Sequence, residues 1–480
     1  MLERLMGLLK RGLIIFLVAI FAANLNIAGT AEAVSHAQEE PIYIVQSGDT
    51  LNSIALRFGV SADDLQLVND ISDPNALIIG QRLTIPGLEG IAGILISTTL
   101  SLGASLINLT RQYQLNMDDL AYLNRITSPS EAMAGATFII PLDENQDTNL
   151  SLVTVGKGQT LLEAAIRTGE SSWQLIRDNQ LLAAWDILPG DKLYGPPSED
   201  LLSTEGDFLE DVSFNRLPLV QGETLQISVK SKLPVEISGR FDDEQLHFFS
   251  DDQEIYYSFH GIHALADPGP HNLQLSAVMD DGTLHELEQL VLLVEGDYTN
   301  EWVFVPEEYL DESVIAEEDA YLEPILKTAS PIKHWQGIFQ YPVDEPCINS
   351  FFGQRRDYNN GSLFFYHTGV DFAVCAQNLN IYAPADGEVI LAEELTIKGY
   401  AVLIDHGWGI ISGYWHLSEF NVDVGDFVKT GDIIGQIGNT GRSAGPHLHF
   451  EIDINGIPIN PETWLIQEFP QSIISTNGTD

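Results

Sequence analysis

The sequence predicts a multidomain, mainly β protein on three grounds. At 480 residues it is too long for one hydrophobic core. Its N-terminal part repeats at a spacing of 55 residues, which calls for a row of small similar modules. Downstream, apolar residues alternate in short runs punctuated by glycine, as in sheets with one solvated face.

Composition bounds the setting. The formal charge of −47, from 22 basic and 69 acidic residues, argues against a nucleic-acid partner, which would require a Lys/Arg surface. Arg4, Lys10 and Arg11 precede an apolar run from Leu13 to Phe21. Small-residue sites follow at Ala31-Glu32-Ala33 and Ser35-His36-Ala37, so residues 1–37 read as an export signal. The alternative is an uncleaved anchor, the only route by which a membrane enters this reading. Either way the body is expected outside the cytoplasm, secreted, in the wall or in the periplasm. An oxidising compartment permits a disulfide between Cys347 and Cys375, closing a loop of 28 residues and stabilising the fold by about 3 kcal/mol. Cys375 as a metal ligand with Asp371 is the weaker alternative to a bridge, since four extended residues would separate them by about 13 Å.

The repeat comes first. Gly48-Asp49-Thr50-Leu51, Gly103-Ala104-Ser105-Leu106 and Gly158-Gln159-Thr160-Leu161 hold one spacing, as do Asn69, Asn124 and Asn179, and Gly80, Gly135 and Gly190. Each unit reads as strand, helix, helix, strand, over 42–87, 96–142 and 151–196. The stretch from Tyr43 to Leu51, with Asn69 and Leu77-Ile78-Ile79-Gly80-Gln81, resembles the LysM module. The resemblance implies binding to N-acetylglucosamine-containing glycans through Gly48, Asp49, Thr50, Ile78 and Ile79. The second copy departs from the pattern at Ala104 and Ser105 and the third at Gln159, so the later copies read as degenerate, either glycan-binding or packing spacers.

Residues 208–301 alternate as in Leu225-Gln226-Ile227-Ser228-Val229, with a hairpin turn at Asp280-Asp281-Gly282, and suggest an immunoglobulin-like β-sandwich. Its histidines 247, 260, 263 and 271 show no ligand spacing. Between Glu307 and Glu323 stand eight acids and no Lys or Arg, so 302–333 reads as a solvated acidic connector, partly helical.

Residues 334–467 are again β-rich, and 468–480 read as a tail. Here Tyr366-His367-Thr368-Gly369-Val370-Asp371, Trp415-His416-Leu417-Ser418 and Gly445-Pro446-His447-Leu448-His449-Phe450-Glu451 follow in order. On a strand, residues i and i+2 share a face, so His447 and His449 would point into one cleft about 7 Å apart at Cα. Imidazole and carboxylate are usual ligands of catalytic zinc, which takes three protein ligands and leaves one position for water. His367, Asp371 and one of the paired histidines could supply them. Tyr414, two residues from His416, is a candidate helper at the site. His406 reads as a structural histidine at a strand end.

With Ser350-Phe351-Phe352-Gly353-Gln354-Arg355 and Ala383-Pro384-Ala385-Asp386-Gly387, these motifs resemble the zinc endopeptidases of the lysostaphin and LytM family, with an antiparallel β domain. The resemblance implies one zinc ion held by His367, Asp371 and His449, with His416 and His447 as catalytic residues that bind no metal. It implies a peptidoglycan substrate, the peptides being cut and the glycan strands bound by the LysM-like modules. Loops Asp357–Phe365 and Glu393–Lys398 would flank the groove. The rival expectation is a non-catalytic wall-binding scaffold or a regulator of another hydrolase.

Overall fold

The computed structural model describes residues 41–471, except 89, 144–149, 157, 197–211, 232–234, 253, 280, 281 and 283. The export-signal segment and residues 472–480 lie outside the described residues. Among those described, no helix is long and apolar enough to cross a membrane. The described residues of 1–96 and 141–146 form one compact unit, and those of 97–140 and 147–480 another.

The first unit carries the first repeat. Strand Ile42–Ile44 pairs antiparallel with Arg82–Thr84, and helices Leu51–Phe58 and Ala62–Val68 lie between them in sequence. Thr50 and Ser53 form a capping box, and Ser61 caps the second helix. Ile54, Leu65 and Leu83 close the small core. Asn69 braces it: its Nδ2 donates to Leu65 O and Thr84 O, and its Oδ1 accepts from Thr84 N.

In the second unit, helices Leu106–Gln112 and Met117–Asn124, and then Leu161–Thr168 and Ser172–Asp178, repeat the pattern. Asn124 and Asn179 make the same three bonds, to Leu120 and Ile139 and to Leu175 and Tyr194. The repeated asparagine is thus a structural brace that satisfies buried backbone groups.

The middle region forms two sheets. One runs in the order Glu244–Leu246, Val235–Phe241, Gly269–Met279, Leu284–Val294, Leu219–Val220; the other in the order Ile255–Gly261, Thr224–Lys230, Val212–Phe214. Leu225, Ile227 and Val229 of the second pack with Leu273, Leu275 and Ala277 of the first.

The C-terminal region is built on an antiparallel sheet in the order Ile348–Ser350, Val370–Ala373, His447–Ile454, Ile410–Leu417, Tyr400–Gly407, Gly387–Glu394, Phe427–Val428, with Ile457–Ile459 paired to His447–Ile454. One face packs a core of Phe372, Ile404, Tyr414, Phe450, Trp335 and Trp464, which Phe259 of the middle region joins. Cys347 and Cys375 are joined by a disulfide.

Three segment expectations are corrected. The acidic stretch is not wholly solvated: helix Glu312–Leu326 buries Leu322 and Glu318. It packs on Leu391, Leu403, Ile411 and Trp415, on the sheet face opposite the main core. Strand Asn300–Val303, expected in the middle domain and connector, pairs parallel with Arg355–Tyr358 of the C-terminal region. The tail is not free at its start, because Phe469 is buried and Gln471 exchanges bonds with Gln226.

Candidate metal centre

Register assembles the site. Asp371 stands opposite His449, and His449 opposite Trp415, on three adjacent strands. His367 ends the segment that leads into Val370–Ala373. Gly369 must be glycine here, since a Cβ would lie 2.2 Å from Phe450 O. Among the described residues, His367, Asp371 and His449 form the one group whose ligand atoms lie within 4.8 Å of one another, and all three are buried.

Partners on the far side of each ring assign its tautomer. His367 Nδ1 faces Phe351 O at 2.9 Å, and a carbonyl only accepts, so the proton sits there and Nε2 keeps its lone pair. His449 Nε2 faces the buried carboxylate of Glu451 at 2.8 Å, which leaves the lone pair on Nδ1. These two lone pairs face each other at 2.8 Å, and both face Asp371 Oδ1, at 2.9 and 2.7 Å. Three acceptors therefore converge on one point with no proton between them, an arrangement that a cation stabilises. The donor set fits a zinc-type ion.

His416 and His447 complete the cleft. His416 Nδ1 donates to Thr440 O and His447 Nδ1 to Gly445 O, at 2.8 and 2.7 Å, so in the neutral ring of each the lone pair is on Nε2. Their rings lie 5.1 Å apart, and His447 Nε2 is 3.6 Å from Asp371 Oδ1. Burial, then the neighbouring His447 and His449, push His416 well below the usual histidine range. Burial likewise lowers His367 to about 4.

Six residues to which the sequence pattern gave no role support the centre. Arg356 donates from Nη2 to Asp371 Oδ2 and from Nε to Glu301 Oε2, both at 2.7 Å. Glu451 also accepts from Thr368 and Lys398, and Glu318 holds the backbone at Lys398. One signal was available: in a chain with only 22 cations, Arg356 and Lys398 stand beside or between the motifs.

Tyr414 is not at the site. His416 has φ 64°, and the pairing shifts between Val402–Tyr414 and Tyr400–Leu417, so residues 414 and 416 lose their common face. The Tyr414 hydroxyl meets Ser412 in the core. His406 is structural, held between Asp386 O and Ser412 Oγ at 2.8 Å each. Histidines 247, 260, 263 and 271 do not enter the metal-capable group.

In the first repeat Ile78 and Ile79 are 71% and 68% exposed, beside an exposed turn at Gly48 and Thr50. Asp49 is committed inward instead, accepting from Tyr43 Oη, Gln46 N and Arg57.

A buried His/Asp/His group flanked by two further imidazoles is the kind of donor set found in metal-dependent hydrolases. Residues 365–461 match peptidase family M23, and residues 43–86 match the LysM domain. The chain thus carries an M23 metallopeptidase domain and a LysM domain. It is 45% identical over 95 residues to the DD-carboxypeptidase/endopeptidase Mpg of Neisseria meningitidis serogroup B, covering 20% of this chain and 22% of that protein. It is 39% identical over 127 residues to the peptidoglycan DD-endopeptidase ShyA of Vibrio cholerae, covering 26% and 29%. The matches therefore span less than a third of these relatives' length. A putative peptidase M23 structure from Pseudomonas aeruginosa aligns at 26% identity and TM-score 0.38, covering 52% of this chain and 94% of that one.

Proposed function

We propose that the protein is a secreted zinc-dependent endopeptidase that hydrolyses peptide bonds in the stem peptides or crosslinks of peptidoglycan. The observation that carries this reading is the convergence of three buried acceptor atoms beside two imidazoles with free Nε2 positions. His367 through Nε2, Asp371 through Oδ1 and His449 through Nδ1 would hold the zinc. When bound, zinc supplies Lewis-acid polarisation of the scissile carbonyl and lowers the pKa of a bound water toward neutrality.

The chain's own residues do the rest. His416 and His447, through Nε2, take the proton of the attacking water and return it to the leaving amine. Arg356 donates to Asp371 Oδ2 at 2.7 Å and so fixes the carboxylate with Oδ1 toward the two imidazoles, the oxygen that would be offered to zinc.

The LysM domain would hold the enzyme on glycan strands through the turn at Gly48 and Thr50 and the exposed Ile78 and Ile79, raising the effective concentration of the peptides beside them. We assign the third repeat the same role, because Trp185 and Leu188, in the loop before its last strand, are 84% and 70% exposed. The middle region, read as immunoglobulin-like, is a structural support.

Purified protein incubated with zinc and cell-wall sacculi should release new peptide termini. Normal binding to sacculi with no release would overturn the endopeptidase reading in favour of a wall-binding scaffold.

A further inference from the structure

Lys398 is tied to three parts of the centre at once. Its main-chain N–H and that of Ile397 donate to the two carboxylate oxygens of Glu318, at 2.9 and 2.8 Å. Its carbonyl accepts from the His416 amide at 2.9 Å, at the residue whose left-handed backbone re-aims that ring. Its ammonium lies over the Trp415 ring and donates to Glu451 Oε1 at 2.9 Å. That same oxygen receives the Nε2 proton of His449.

Glu451 and Glu318 are 3% and 9% exposed, so each is a carboxylate in a poorly solvated place that needs compensation. Lys398 gives Glu451 a countercharge and fixes which oxygen faces His449. Glu318 gives the loop two acceptors that fix where Lys398 begins. Both contacts act on residues behind the metal ligands, where outer partners orient a ligand and set its basicity.

We propose that Lys398 is a positioning residue of the metal centre, aligning His449 through Glu451 and His416 through its carbonyl, with Glu318 of helix Glu312–Leu326 as its clamp. The inference rests on the metal reading above.

The test uses full-length protein and the variants Lys398→Met, Lys398→Arg and Glu318→Gln. Zinc affinity is read by competition with a chromogenic chelator, and ligand geometry by the visible spectrum of the cobalt-loaded protein. Lys398→Met should bind zinc about 10- to 100-fold more weakly, with a changed cobalt spectrum. Lys398→Arg should restore most of both, and Glu318→Gln should shift both in the same direction by less. Lys398→Met with zinc affinity within about twofold of wild type and an unchanged cobalt spectrum overturns the inference. If Lys398→Met does not fold, Glu318→Gln decides: unchanged affinity and spectrum overturn the clamp and with it the proposal. Wild-type protein that takes up neither metal overturns the metal reading itself, and the inference falls with it.

Discussion

At the scale of single residues, the two histidines of His447-Leu448-His449 show what a strand pattern can and cannot tell. Alternation places both rings on one face, which the spacing alone predicts. Register separates them: His449 pairs with Asp371, whereas His447 pairs with Ala373, two residues along the strand. No local pattern carries that information. His449→Ala is therefore expected to lose both bound metal and activity. His447→Ala should keep its metal and lose about 10²- to 10⁴-fold in activity, by metal analysis beside sacculus digestion. Loss of metal from His447→Ala would reverse the assignment. Tyr414 went the other way, because its predicted place assumed an unbroken strand, and the positive φ of His416 breaks it.

A residue far from the metal gives a test by pH. Burial lowers His260 from 6.5 to about 4, so the folded protein keeps it neutral where the unfolded chain takes a proton. Between those values the unfolded state binds more protons. Stability must then fall as pH drops through the window, by up to about 1.4 kcal/mol per unit. His260→Leu should flatten this fall relative to wild type, as read from urea midpoints at about pH 7 and about pH 5. Equal falls in both proteins would place the acid sensitivity elsewhere.

At the scale of elements, the repeats and the partly helical character of the acidic run were legible, but the docking of that helix was not. The brace asparagines recur because each must satisfy the same carbonyls and amide, so packing enforces the spacing. In the third repeat Gln159 accepts from Gly156 N and Arg167, replacing Asp49, which accepts from Gln46 N and Arg57. A substitution that looked like erosion keeps the turn. The acidic run misled because its charge count hides a short apolar stripe, Leu322, Ile325 and Leu326, that covers the sheet at Leu391, Leu403, Ile411 and Trp415. Leu322 is 2% exposed, and Leu322→Ala should cost about 2–5 kcal/mol of helix docking. Limited proteolysis should then cut within residues 312–326 well before the rest of the domain, and wild-type resistance in the variant would count against a docked helix.

At the scale of the whole second unit, the sequence reads as separable domains because composition changes at their borders, but packing does not respect those borders. Phe259 of the middle sheet lies against Trp335, Trp408, Trp464 and Phe469. Trp464 Nε1 donates to Thr224 Oγ1 at 2.9 Å, and both groups are buried. Strand Thr224–Lys230 is consequently buried on both faces over six of its seven residues, one face toward each core. Glu301, from the strand linking the two regions, reaches Arg356 behind the candidate ligand Asp371. A fragment starting at residue 334, the border legible from composition, would leave this aromatic cluster open to water and remove Glu301 and Glu318. It should aggregate or melt without a cooperative transition, whereas a fragment starting at residue 212 should melt as one unit. Calorimetry of the two fragments distinguishes the cases, and a cooperative, zinc-binding fragment from residue 334 would show that the shared core is dispensable.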